Sequence, residues 1–193
     1  MKIGVLSVQG AFEEHIKVME KLGAECVELR QKRDVDGDFD RLILPGGEST
    51  VQGKLIRELD MYDGLKQRIE EGMPVLATCA GLILLAEHIV ADETVHFGTL
   101  PVVVRRNAYG RQLGSFFVRE EFGGLGQIPM TFIRAPYIES AEPGVEVLAK
   151  VDGNIVGVRY KNQIGVSFHP ELDESLAIHR MFINIKIKHR NNK

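Results

Sequence analysis

Short apolar runs alternating with amphipathic stretches set the tightest limit on what this chain can fold into. Residues 2–8, 41–44 and 74–78 read as strands with no wet face, and residues 25–30 as a further strand. Between the first two strands, Phe12, Ile16, Met19 and Leu22 recur at helical spacing, and Gly23 stops the run. The pattern predicts further helices over residues 49–59, 62–71 and 80–90. Strands without a polar face must be covered on both sides. Strand–helix alternation supplies that cover when the sheet is parallel. The expected architecture is therefore α/β, three layers in the order αβα. After about residue 97 the helices give way to strand-like segments at 100–106, 114–119, 130–134, 145–151, 154–160 and 163–168. Turns such as Asp152-Gly153-Asn154 join them, and they are expected as antiparallel additions to the same core. A helix over residues 174–187 closes the chain, and the basic tail 186–193 reads as a solvated terminus. No linker divides residues 1–193, so one domain is expected.

The bulk properties narrow the function. A formal charge of −3 gives no electrostatic case for nucleic acid or an anionic membrane. The N-terminal apolar run ends too soon for a signal peptide, and Leu82–Ala86 is far below spanning length. Two cysteines, Cys26 and Cys79, are too few for a disulfide scaffold or a zinc site. A reducing, cytoplasmic setting is expected, with no metal and no cofactor.

Two segments carry the chemistry. Residues 76–82, Leu-Ala-Thr-Cys-Ala-Gly-Leu, read as a strand turning sharply into a helix with Cys79 at the bend. Ligands in open α/β sheets sit beyond the carboxyl ends of the strands, where such a bend lies. The small residues Ala77, Ala80 and Gly81 permit a tight turn, and the helix start favours a thiolate. Residues 167–171, Ser-Phe-His-Pro-Glu, put His169 and Glu171 at the end of another strand-like run. An imidazole beside a thiol takes its proton, and a carboxylate behind the ring fixes its tautomer. Cys79, His169 and Glu171 thus read as nucleophile, base and orienter of a cysteine acyl-transfer enzyme. Cys26 and the other histidines, His15, His88, His96, His179 and His189, read as structural.

Two further segments supply binding groups. In Pro45-Gly-Gly-Glu-Ser-Thr50 the paired glycines permit close ligand approach, and backbone N–H groups there suit a carboxylate or an oxyanion. Ser49 or Thr50 is expected to cap the next helix. Arginines clamp carboxylates in bidentate fashion, and Arg105, Arg106, Arg111 and Arg134 all lie near strand ends. Physical reasoning alone does not choose among them.

Taken together, Val8–Ala11, Pro45–Thr50, Thr78–Leu82, Arg106–Gln112, Phe132–Pro136 and His169–Leu172 resemble the glutaminase subunits of pyridoxal 5′-phosphate synthase. That family lies within the class I, triad-type glutamine amidotransferases, and its fold is flavodoxin-like. The resemblance runs from residue 3 to about residue 185. It implies that Cys79 attacks the side-chain amide of L-glutamine and that His169 protonates the departing ammonia. Water then hydrolyses the γ-glutamyl thioester. It also implies glutamine binding by Gly47, Glu48, Ser49, Arg106, Ile133 and Arg134, with an oxyanion hole from the Gly47 and Ala80 N–H groups. The implied partner is the synthase subunit, which takes the ammonia and switches the glutaminase on through a contact near Gln9 and Gly10. One departure stands out: Ala77 occupies a place where the family usually has glycine, which adds a methyl and removes no catalytic group. The competing readings are an amidotransferase subunit of another pathway, a non-catalytic glutamine-binding regulator, and a peptidase with the same bend.

Overall fold

In the computed structural model, residues 1–107 and 114–187 are described. The first half runs β1 (Lys2–Leu6), α1 (Phe12–Lys21), β2 (Glu25–Leu29), α2 (Lys32–Val35), β3 (Arg41–Leu44), α3 (Ser49–Glu58), α4 (Tyr62–Glu70), β4 (Val75–Thr78), α5 (Ala80–Leu85) and β5 (Ala86–Ile89). The second half adds β6 (Leu100–Arg105), β7 (Ser115–Phe122), β8 (Gly126–Ile133), β9 (Tyr137–Ala141), β10 (Glu146–Val151), β11 (Asn154–Tyr160), β12 (Gln163–Val166), a 3-10 turn at Pro170–Leu172, and α6 (Ala177–Ile183).

The main sheet has the order β2-β1-β3-β4-β12-β11-β9-β6-β5, and β10 pairs with β11 outside that path. The segment β2-β1-β3-β4-β12 is parallel throughout. β11 then runs antiparallel to β12, and β9 antiparallel to β11. This is the expected α/β architecture with antiparallel additions.

Period-two alternation divides the core between the two faces of the sheet. Leu42, Leu44, Val75 and Ala77 face the cluster containing Ile56, Leu65 and Leu82, from α3, α4 and α5. Ile43 and Leu76 face the opposite cluster, with Val18 and Met19 of α1 and Ile178 and Phe182 of α6. Thr78 falls on this second face, two residues after Leu76.

The predicted helix 80–90 ends at Leu85, because Ala86 swings to ψ 141° and Ala86–Ile89 pairs in parallel with β6. A local apolar run does not reveal that an edge strand is open to it. The closing helix is shorter than residues 174–187, since the turn at Pro170–Leu172 holds the chain out of helix until Ala177. β7 and β8 do not join the main sheet; they form their own two-stranded sheet. Its inward side chains Phe122, Met130 and Phe132 pack into the α1/α6 core, and Phe132 stacks on Phe116 with ring centroids 4.4 Å apart. α2 and β9 were not predicted. The residues beyond Ile187, including His189, lie outside the described residues.

The turns leaving β1, β3, β4 and β12 all emerge at the same end of neighbouring parallel strands. They carry, respectively, Gln9-Gly10, Gly46–Ser49, Cys79 and His169. Topology alone therefore gathers four segments far apart in sequence.

Candidate active site

Cys79 occupies the N-cap of α5 with φ 48° and ψ −103°, a region non-glycine residues seldom visit. Strain of this kind costs on the order of 1–3 kcal/mol and persists where the surroundings enforce it. Here the enforcement is visible. The Cys79 N–H donates to the Val166 carbonyl at 2.9 Å, tying the bend to β12. On the other side, a Cβ on Gly81 would lie 2.0 Å from the Leu44 carbonyl oxygen, so the first turn of α5 sits directly on β3. Only glycine fits there.

His169 is brought to the thiol by β12 and by its own N–H, which donates to the Thr131 carbonyl at 2.8 Å. Its ring lies against Gly46, where a Cβ would stand 2.3 Å from His169 Cε1. Behind the ring, His169 Nδ1 is 2.7 Å from Glu171 Oε1. Burial alone would push the His169 pKa down. Hydrogen bonds to Cys79 and Glu171 and their negative charge outweigh it, holding the pKa up at about 10. The imidazolium is thus favoured at neutral pH. Glu171 is buried, which opposes ionisation, yet His15 and the bond from His169 hold it below the usual carboxylate range. Cys26 lies outside this arrangement, and burial raises its thiol to about 11, consistent with an inert structural role.

The Pro45–Ser49 loop is held from several sides. The Gly46 N–H donates to Thr78 Oγ1 at 3.0 Å, and the Gly46 carbonyl accepts from the Ala11 N–H at 3.0 Å. The Glu48 N–H donates to Gln9 Oε1 at 2.9 Å. Gln52 Nε2 donates to the carbonyls of Gln9 and Pro45. Gly10, at φ 101°, packs so closely that a Cβ would lie 1.9 Å from the Gly46 oxygen. The predicted cap is corrected: neither Ser49 nor Thr50 caps α3. Glu48 does, accepting from Thr50 N–H at 3.1 Å and Val51 N–H at 2.8 Å. Its longer side chain reaches both amides, and Ser49 becomes the buried first helical residue.

These segments surround one cleft of about 470 Å³, of the size that holds a small metabolite. Cys79, Ala80 and His169 line it together with Gln9, Gly47, Glu48, Ser49, Arg106, Ile133 and Arg134. Glu171 stands behind His169, outside the cleft. Arg106 Nη2 is 3.3 Å from Glu48 Oε1 and its Nη1 is 3.4 Å from Asp92 Oδ2, so the guanidinium is pinned between two acids. Arg134 has φ 45°, and its N–H donates to the Gly114 carbonyl at 2.6 Å. Among the four arginines, Arg105 turns away to pair with Glu139, and Arg111 lies outside the described residues with Ala108–Gln112 of its motif. Sequence reasoning missed Ile83, Asn107 and Pro136, which complete the lining. Apolar and turn residues carry no chemical signature, so only their neighbourhood reveals them. His15 and His179, read as structural, are both buried, with His15 Nε2 3.4 Å from Glu171 and His15 Nδ1 3.0 Å from His179.

Comparison with known proteins agrees with this geometry. A pyridoxal 5′-phosphate synthase subunit PdxT from Desulfitobacterium hafniense (strain Y51) is 65% identical over 184 residues, covering 95% of this chain and 92% of that protein. The PdxT subunit from Haemophilus influenzae (strain PittEE) is 54% identical over 188 residues, covering 96% and 98%. A crystal structure of a glutamine amidotransferase superposes with a TM-score of 0.90 at 44% identity, covering 95% of this chain and 97% of that one. Residues 5–188 match the SNO glutamine amidotransferase family, and with a relative at such identity over nearly the whole length the chain belongs to that family.

Proposed function

We propose that this chain is the glutaminase subunit of a pyridoxal 5′-phosphate synthase, hydrolysing L-glutamine to L-glutamate and ammonia. The observation that carries the reading is a strained cysteine and a buried His–Glu pair converging on one amino-acid-sized cleft. In the proposed cycle the Cys79 thiolate attacks the side-chain amide carbon. The oxyanion takes hydrogen bonds from the Gly47 and Ala80 N–H groups, each worth about 3–4 kcal/mol to the transition state. The C–N bond breaks as His169 gives its proton to the leaving ammonia. Water, deprotonated by His169, then attacks the γ-glutamyl thioester, releasing glutamate and the thiol. Glu171 holds the ring tautomer throughout.

Glutamine binds over Gly47, Glu48 and Ser49, with Arg106, Ile133 and Arg134 closing the site in this reading. The ammonia goes to a separate synthase subunit. Gln9 and Gly10 are assigned to the contact with that subunit. Their direct bonding to Glu48 and close packing on Gly46 support this, because pressure on the β1 turn passes straight to the oxyanion loop. The residues 1–193 act as one domain, in the cytoplasm, with no cofactor of their own.

The test is glutamate release from glutamine by the purified chain, with and without the synthase subunit. Strong activation that Cys79→Ala abolishes is expected. Activity undiminished by Cys79→Ala removes the thiol from the mechanism. Full activity without the partner argues for a free-standing hydrolase.

A further inference from the structure

We propose that His15, supported by His179, is a positioning residue that locks the triad carboxylate to the oxyanion loop. The inference rests on the glutaminase reading above. His15 is fully buried on α1, on the sheet face toward which Thr78 points. Its Nε2 lies 3.4 Å from Glu171 Oε2 and 3.2 Å from Thr78 Oγ1, and Thr78 Oγ1 accepts the Gly46 N–H. Its Nδ1 lies 3.0 Å from Nε2 of His179, which is buried on α6.

The ionised carboxylate favours one proton arrangement among these partners. Glu171 is an ionised, acceptor-only carboxylate, so the His15 nitrogen facing it carries the hydrogen. His15 Nδ1 is then an acceptor, and His179 Nε2 donates to it. That leaves His179 Nδ1 as a bare lone pair, and this atom is buried without a partner among the described residues. An unpaired acceptor there costs less than an unpaired charged N–H. Burial keeps both rings neutral, against the pull of Glu171 on each and, at His15, of Glu14; the charge of His169 works with burial at His15. The second oxygen of Glu171 has no hydrogen-bond partner among the described residues, and His15 Nε2 faces it at 3.4 Å on its far side. One ring thereby couples the two halves of the machinery: the carboxylate that orients His169, and the threonine that holds Gly46.

The experiment compares His15→Asn and His15→Gln in the assembled complex with the synthase subunit. A glutamine amide nitrogen reaches the place of Nε2; an asparagine amide reaches only that of Nδ1. Expected is a fall in kcat of about tenfold for His15→Asn, with KM for glutamine within about twofold. His15→Gln recovers most of kcat. A second readout is independent of glutamine: the pH midpoint for iodoacetamide alkylation of Cys79, resolved from Cys26 by peptide mass. It rises in His15→Asn and stays at the wild-type value in His15→Gln, whereas a merely structural role moves Tm and leaves the midpoint alone. Wild-type kcat in His15→Asn, or losses in both variants that follow Tm with an unmoved midpoint, overturns the inference. If the wild-type complex fails to hydrolyse glutamine while the midpoint still shifts, the glutaminase reading falls and the positioning role stands. Should His15→Asn not fold, His179→Leu removes the donor that sets the His15 tautomer. It is expected to lower kcat a few-fold in the same direction, and an unchanged kcat there also overturns the proposal.

Discussion

Replacing Gly46 by alanine adds one methyl group against the Cε1 edge of the proposed base. The backbone accepts it, since Gly46 does not sit in the left-handed region. The clash is with the ring of the proposed base: the new Cβ would lie 2.3 Å from His169 Cε1 and 3.0 Å from Nδ1. Ordinary van der Waals contact needs about 3.4 Å, so ring or loop must yield by about 1.1 Å. A shift of that size along the bond stretches the 2.7 Å contact from His169 Nδ1 to Glu171 beyond hydrogen-bonding range. Misplacement of a catalytic group by about 1 Å costs roughly 10²-fold in rate. Overpacking adds about 1–3 kcal/mol of destabilisation, or roughly 2–12 °C in Tm for a chain of this size. The assay is steady-state glutamate release with saturating synthase subunit, with Tm measured by calorimetry. Expected is a hundredfold fall in kcat by a protein still folded at assay temperature. Activity within about threefold of wild type would refute the argument that Gly46 is there to make room for His169.

Glu171→Gln is expected to lower kcat less than His169→Asn, because an orienter is partly dispensable where the base is not; equal or reversed losses in steady-state kcat undo that division of roles. Stability is expected to fall on the acid side. His179 is held by burial at about 3, against 6.5 in the unfolded chain, so the unfolded state takes up the proton first as pH drops. The stability tied to this ring is complete above pH 6.5 and is lost as pH falls toward 3. The loss amounts to about 2 kcal/mol at pH 5. His15 works in the same direction. His169, raised to about 10, contributes the opposite way, fully below pH 6.5 and lost as pH climbs through 10. A Tm series from pH 7.5 to 4.5 should therefore slope downward toward acid, and His179→Leu should flatten it; an unchanged slope in that variant contradicts the assignment.

The local features were legible wherever one residue type at one spacing has a single physical meaning. The apolar runs at 41–44 and 74–78 announced doubly covered strands, and β3 and β4 lie there. Thr-Cys-Ala-Gly announced a tight bend, and the strained Cys79 backbone with Gly81 pressed on Leu44 is its cause. The helix over residues 80–90 failed because its end is set by the edge of β6, a partner remote in sequence. Glu48 displaced Ser49 as cap because its reach to two amides depends on where the loop turns.

The chain by itself determined the chemistry on offer: a thiol, an imidazole and carboxylates placed at strand ends, with glycines where the backbone must come close. Tertiary structure decided which of them meet. It selected Arg106 and Arg134 over Arg105 for the cleft, because β9 gives Arg105 an acidic neighbour at Glu139. It also placed His15 and His179, 164 positions apart, under Glu171. No periodicity foretells that pairing, because it arises only when the helices after β1 and β12 pack on the same face of one sheet.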